Sequence, residues 1–276
     1  MSTPCGKAAR RRLAAWMSGT LYLCKTAEEQ VSGAQGRISH APLPPCSPAM
    51  FWLLLLAALA LLLYWELVIA EGAHLGPGVV AWLYDLVAYR YNQIKKFNPE
   101  IEADLVGLPL LEALIEIERP RVLDVAAGNG RVARALMRQI AFEGSVTSLD
   151  LSARMVVEGQ RECAEWADRV QWMRGPADGL PFAAETFDAV TCLEALEFLP
   201  DPRAALHEWV RVLRVGGVLV VTNRVGLEAR LIVGKTFGRG TFVKILKQLP
   251  LADVRVEAWQ VEYDLAWGRK AVNSRQ

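Results

Sequence analysis

RVLDVAAGNGRVARALM, residues 121–137, decides the fold. It runs from an apolar strand into a turn with Gly128 and Gly130, then into a stretch with helical spacing. Two glycines two residues apart let the backbone turn tightly and come close to a ligand. Asp124 closes the strand, where open parallel sheets place their ligand crevice. A carboxylate at that point repels a pyrophosphate and attracts an ammonium or sulfonium group.

Outward from this turn, short apolar runs alternate with amphipathic ones. SVTSLDL (145–151), VQWMR (170–174), TFDAVTC (186–192) and GGVLVVTN (216–223) read as strands. ARMVVEGQRECAEW (153–166) and PRAALHEWVRVL (202–213) read as helices between them. Such alternation predicts an α/β, Rossmann-like, mostly parallel sheet of seven strands. The end departs from it: after a helix over 240–249, ADVRVEAWQ and VEYDLAWGRK follow with no helix between, predicting a C-terminal antiparallel hairpin. Asp150, about 20 residues past the turn, is placed to accept hydrogen bonds from ribose hydroxyls.

Upstream, residues 49–65 (AMFWLLLLAALALLLYW) carry no charge, and Trp52, Tyr64 and Trp65 stand near the ends of the run. Its length and aromatic flanks predict one transmembrane helix. The expected organisation is therefore a disordered or non-native extension over 1–48, a transmembrane helix over 49–70, a helical connector and lid over 71–118, the catalytic-type domain over 119–270 and a tail over 271–276. Val79–Phe97 and Leu105–Ile117 each read as a helix in the connector, Pro109 disturbing the second. Six basic residues (Lys7, Arg10, Arg11, Arg12, Lys25 and Arg37) precede the apolar run, and Arg90 lies within about twenty residues after it. With that extension the positive-inside rule sends the domain away from the cytosol, whereas a start at Met50 leaves it facing the cytosol. The expectation is a single-pass membrane protein of the second kind.

Composition narrows the field. The formal net charge of +1 is unlike that of a strongly basic nucleic-acid binder, so no nucleic-acid partner is expected. The five cysteines form no C-x-x-C pair and the three histidines are scattered, so no metal site is expected.

The blocks VLDVAAGNGR, SLDLSARMV, GPADGLPFAAETFDAVTC, LEFLPDPRAALHEWVRVLRVGGVLVVTN and VEYDLAWGRK, in that order, resemble a class I S-adenosylmethionine-dependent methyltransferase. The likeness is to the type 11 group that includes the ubiquinone and menaquinone methyltransferases, and it runs over Val79–Lys270. It implies S-adenosylmethionine as cofactor and methyl transfer to a small or lipophilic acceptor at a membrane. It also implies that Asp124, Ala126, Gly128 and Gly130 hold the methionine end, with Ala126 standing where the family commonly has glycine. Asp150 matches the ribose acid and Leu151 the residue packed on adenine. Ala177 and Asp178 match the pair at the adenine edge, and Cys192 the strand end near the amine. The family often has a histidine where Phe198 stands. Glu194 and Glu197 are therefore the candidate bases or substrate-orienting groups, and Tyr84, Asp85 and Tyr89 face the substrate as a lid. Two rivals remain: a dinucleotide-dependent oxidoreductase, which calls for a third glycine near Val132–Ala135, and a non-catalytic binding module on the same fold.

Overall fold

In the computed structural model, residues 48–271 are described; the expected extension up to residue 47 and the last five residues of the tail lie outside them. The chain divides into two units, residues 1–53 and 54–276. Of the first, the described part is the opening of helix α1 (Pro48–Tyr64). All that follows concerns the second.

Near-continuous apolar runs such as VLVV (218–221) favour strands of a sheet covered on both faces. The described strands are β1 (Arg121–Val125), β2 (Ser145–Asp150), β3 (Val170–Arg174), β4 (Phe187–Cys192), β5 (Leu213–Arg224), β6 (Leu251–Gln260) and β7 (Tyr263–Lys270). They form one sheet in the order β3-β2-β1-β4-β5-β7-β6. Strands β1 to β5 pair in parallel, while β7 pairs antiparallel with both β5 and β6. The terminal hairpin is present, with its second strand inserted between β5 and β6. Since β7 opposes both neighbours, β6 runs with β5, and among the described strands β7 alone runs against the sheet.

The helices between strands are α6 (Arg131–Met137), α7 (Ala153–Glu162), α8 (Pro202–Val212), α9 (Gly226–Leu231) and α10 (Arg239–Gln248). Side-chain oxygens of Ser152 and Asp201 accept from the first backbone N–H groups of α7 and α8, which fixes where each begins. Two apolar clusters cover the sheet. One includes Leu123, Leu149, Val190, Leu219 and Trp209, the other Val122, Val146, Ala189, Val218 and Leu136. Adjacent strand residues such as Val122 and Leu123 fall into different clusters, as the period of two requires.

The connector departs from two continuous helices. It contains α2 (Pro77–Val87), a 3-10 turn (Ala88–Arg90), α3 (Tyr91–Lys95), α4 (Pro99–Glu102), a π-helical turn (Ala103–Gly107) and α5 (Leu108–Leu114). Lys96 stops α3 in the left-handed region, at φ 52°. Pro109 has no N–H to give to the turn before it, and the wider π turn absorbs that gap. Gly107 sits there because a Cβ would lie 2.2 Å from the Ala135 carbonyl oxygen.

Strand order reverses between β1 and β4, so the connections leaving their carboxyl ends run in opposite directions along the sheet. That topological switch point is where the crevice of an open α/β sheet forms.

Candidate functional site

A cleft of about 790 Å³, partly open to solvent, lies at those carboxyl ends. Its floor includes Ala126 and Gly128 after β1, Asp150 and Leu151 at the end of β2, and Ala177 and Asp178 after β3. Its far wall is Leu193, Glu194, Ala195 and Phe198 after β4. A smaller recess continues it down to Asp124, past Tyr91, Gly128 and Leu193.

The turn and the second carboxylate are joined directly. Gly128 N donates to Asp150 Oδ2 at 2.8 Å, and Ser152 N donates to Asp150 Oδ1 at 2.8 Å. The carboxylate so held lines the cleft. Burial pushes the Asp150 carboxyl up to about 6 against the pull of these backbone donors. Asp124 is buried; its Oδ1 accepts from Thr191 Oγ1 at 2.7 Å, and its Oδ2 has no protein partner. Burial raises its carboxyl to about 7, the Thr191 hydrogen bond opposing. A buried carboxylate oxygen without a donor is costly unless a ligand supplies one, and an ammonium fits that need.

Backbone strain concentrates at the cleft. Ala126 has φ 53° and Glu194 φ 54°, both left-handed without being glycine. Gly130, at φ 90°, suits glycine: a side chain would be strained there, and its Cβ would press within 3.0 Å of Cys163 Sγ and of the Trp172 ring. Ala177 is fixed by Trp209, whose Nε1 donates to the Ala177 carbonyl at 2.8 Å.

Cys192 is fully buried, and the cleft lining begins one residue later at Leu193. Of the three lid residues expected to face the cleft, Tyr84 lines it. Tyr89 is exposed and outside it. Asp85 accepts from Ser152 Oγ (2.5 Å) and Arg154 N (3.0 Å), pinning α2 to the start of α7. The second tyrosine in the cleft is Tyr91. Helical spacing carried the signal: a residue seven positions on returns to the face of Tyr84, while five positions on lies about 140° round. Phe198, Tyr84, Tyr91 and Phe97 then form a chain of rings, each 5.9 Å from the next.

Glu194 and Glu197 part company. Glu194 pairs with Arg131 Nη1 (2.5 Å) and Lys95 Nζ (3.2 Å), and those cations hold its carboxyl below the usual range against the cost of burial. It lines the cleft, the Asp124 recess and a more open chamber between Lys95 and the β6–β7 turn. Arg131, unanticipated from sequence, also grips Glu102 at 2.6 Å and lies over the rings of Phe97 and Trp259. Glu197 is buried outside the cleft lining, accepting from Tyr263 Oη at 2.8 Å with Arg224 Nη1 at 3.6 Å. Burial raises its carboxyl. His207 is exposed on α8.

With the geometry in place, known proteins resemble the chain as follows. Residues 123–221 match the family model described as a methyltransferase domain. A ubiquinone/menaquinone biosynthesis C-methyltransferase, UbiE, from Roseobacter denitrificans is 40% identical over 152 residues, 52% of this chain and 58% of that protein. A demethylmenaquinone methyltransferase from Clavibacter sepedonicus is 33% identical over 145 residues, with the same coverage. The chain thus spans somewhat over half the length of these relatives. Among solved structures, the [4+2]-cyclase SpnF superposes with a TM-score of 0.60 at 19% identity, covering 72% of this chain and 98% of that one. An S-adenosyl-L-methionine-dependent methyltransferase fold from Methanococcus maripaludis gives 0.54 at 18%, covering 70% and 95%. The match over residues 123–221 and the relatives together identify a class I S-adenosylmethionine-dependent methyltransferase domain in this chain.

Proposed function

We propose that this chain methylates a quinone-like, lipophilic acceptor at a membrane surface, with the cofactor seated in the β1–β4 cleft. The observation that carries the reading is Asp124 Oδ2, buried and unpartnered beside the glycine turn.

In this reading Asp124 takes the amino group of S-adenosylmethionine, and Gly128 and Gly130 keep the backbone close to its methionine end. Ala126 lies in the same turn. Asp150 takes the ribose hydroxyls, Leu151 packs on the adenine, and Ala177 with Asp178 meets its edge. The Cys192–Leu193 backbone lines the amine side. When bound, the cofactor supplies an electrophilic methyl on a sulfonium. The chain's task is to hold the nucleophile in line and keep water out. Tyr84, Tyr91 and Phe198 give an apolar roof suited to a flat, ring-bearing acceptor. Glu194 is ionised and held by two cations, which makes it a poor proton acceptor and a good orienting group. Glu197 is occupied by Tyr263 and Arg224 and steadies the loop behind Phe198.

The acceptor class is supported by the relatives' names, and the membrane by the helical stretch Pro48–Ile69. That stretch is long and apolar enough to cross a bilayer, and its apolar window is 6% buried. We place the domain on the cytosolic side, where the cofactor is made. The test is transfer of labelled methyl from S-adenosylmethionine to a demethylated quinone in vesicles carrying the full chain. Label in the quinone fraction supports the reading. Cofactor binding with no transfer to any quinone would favour the binding-module alternative.

A further inference from the structure

The carboxyl end of the apolar helix is bolted to a segment far along the chain. Trp65 Nε1 donates to the Leu231 carbonyl at 2.9 Å, and His74 Nε2 lies 2.9 Å from the Val233 carbonyl. The Trp65 and His74 rings stack at 5.1 Å, and Glu66, buried, holds His74 Nδ1 at 2.8 Å. The segment so held is α9 and the turn after it.

That segment has the wrong face outward for water. Ala229 and Ile232 are buried, while Leu227 is 77% exposed, Val233 67% and Leu231 46%. A short helix facing water puts polar residues outside. Leu67 and Val68, on the π-helical turn Trp65–Ile69 that carries Trp65, are exposed as well. From Val225 to Leu249 the sequence holds five Lys or Arg (Arg230, Lys235, Arg239, Lys244, Lys247) and one acid, Glu228. That acid is already taken by Arg224 at 2.5 Å. Arg239 pairs with Asp264 at 2.7 Å, and the excess of basic over acidic residues beside apolar ones is the composition of an element lying in the headgroup zone of an anionic bilayer.

We propose that α9 and its following turn, with Leu227, Leu231 and Val233 as the inserting side chains, form a second membrane contact that seats the domain on the bilayer. The proposal rests on the membrane reading of the apolar helix given above. Its consequence for function is direct. Lys235, within this segment, reaches the Leu199 carbonyl at 3.4 Å, and Leu199 lines the cleft. Docking α9 brings the cleft wall to the lipid surface, so a lipophilic acceptor enters from the bilayer without crossing water.

The test uses the full chain with Cys5, Cys24 and Cys46 replaced by serine, Cys163 and Cys192 being buried. An environment-sensitive fluorophore is placed at Leu227→Cys, Leu231→Cys or Val233→Cys, with Leu59→Cys in the helix and the fully exposed Ile140→Cys as references. The protein is reconstituted in phosphatidylcholine–phosphatidylglycerol vesicles with a lipid-borne quencher. The expected result is strong quenching at Leu59 and, at all three α9 positions, a blue shift with quenching several-fold above that at Ile140. Quenching at Leu59 with α9 positions no different from Ile140 overturns this inference and leaves the anchored reading standing. No quenching at Leu59 overturns both.

Discussion

Asp124 and Thr191 face each other across β1 and β4, and the 2.7 Å hydrogen bond between them satisfies one carboxylate oxygen while the other stays buried and unpaired. The relationship has a pH consequence. The Asp124 carboxyl stands at about 7 in the fold because burial disfavours its charge, against about 3.9 for an unfolded aspartate. An acid raised by folding keeps its proton more readily in the folded state. Its contribution to stability is therefore full below the unfolded value and lost as pH rises through the folded one. Asp150, raised to about 6, acts in the same direction. The ligand-free protein should lose stability between about pH 4 and 7. A cationic ligand reverses the preference at Asp124, because it favours the ionised carboxyl. Affinity for S-adenosylmethionine should climb as pH rises toward 7, by up to about tenfold per unit, and flatten above it. Calorimetric titrations across this range check the slope, and Asp124→Asn should abolish most of it along with most of the affinity.

The left-handed backbone at Ala126 predicts a stabilising substitution. Ala126→Gly removes the steric cost of φ 53° and should raise unfolding free energy by about 0.5–1 kcal/mol. Gly130→Ala should do the reverse, costing about 2 kcal/mol or more, since its Cβ meets both Cys163 and Trp172. Urea melts of both variants decide the point.

Arg131 ties the connector to the sheet through Glu102 and Glu194. Arg131→Ala takes the cation from the poorly solvated Glu102 and leaves Glu194 with Lys95, and should cost about 3 kcal/mol. Adding Glu102→Gln and Glu194→Gln to that variant should recover much of the loss. A recovery near zero in the mutant cycle would mean the pairing carries little of the coupling.

The two tyrosines of the lid should separate cleanly. Tyr89→Ala, at an exposed site, should change stability by less than about 0.5 kcal/mol and leave cofactor affinity alone. Tyr91→Ala removes a ring lying 3.6 Å from where a Gly128 Cβ would be and should weaken binding by about tenfold. Equal effects at both positions would contradict the placement of the lid.

Much of this was legible in the chain because local and global signals agree. The strand–glycine turn–helix of 121–137 and the helix-free end after Leu249 foretold a mostly parallel sheet ended by a hairpin. They could not say that β7 inserts between β5 and β6, since that depends on which edge the hairpin docks against. In the site, Asp150 and Gly128 were each readable by position, but their mutual hydrogen bond needed three dimensions. The connector was the least legible part. Its helices are broken by Lys96, Pro99 and Pro109, and whether Tyr89 or Tyr91 faces inward turns on phase across a 3-10 turn. Arg131 was hidden for another reason. Its partners lie 29 and 63 residues away in sequence, and an arginine opening a helix looks like any surface cation until they close on it.

The most direct test is a calorimetric titration of S-adenosylmethionine into the full chain in detergent micelles, beside the Asp150→Ala variant. The account predicts micromolar binding by the parent chain and its loss in the variant, with both folded by circular dichroism. Absence of binding by the folded parent, or undiminished binding by the variant, would contradict the placement of the cofactor in this cleft.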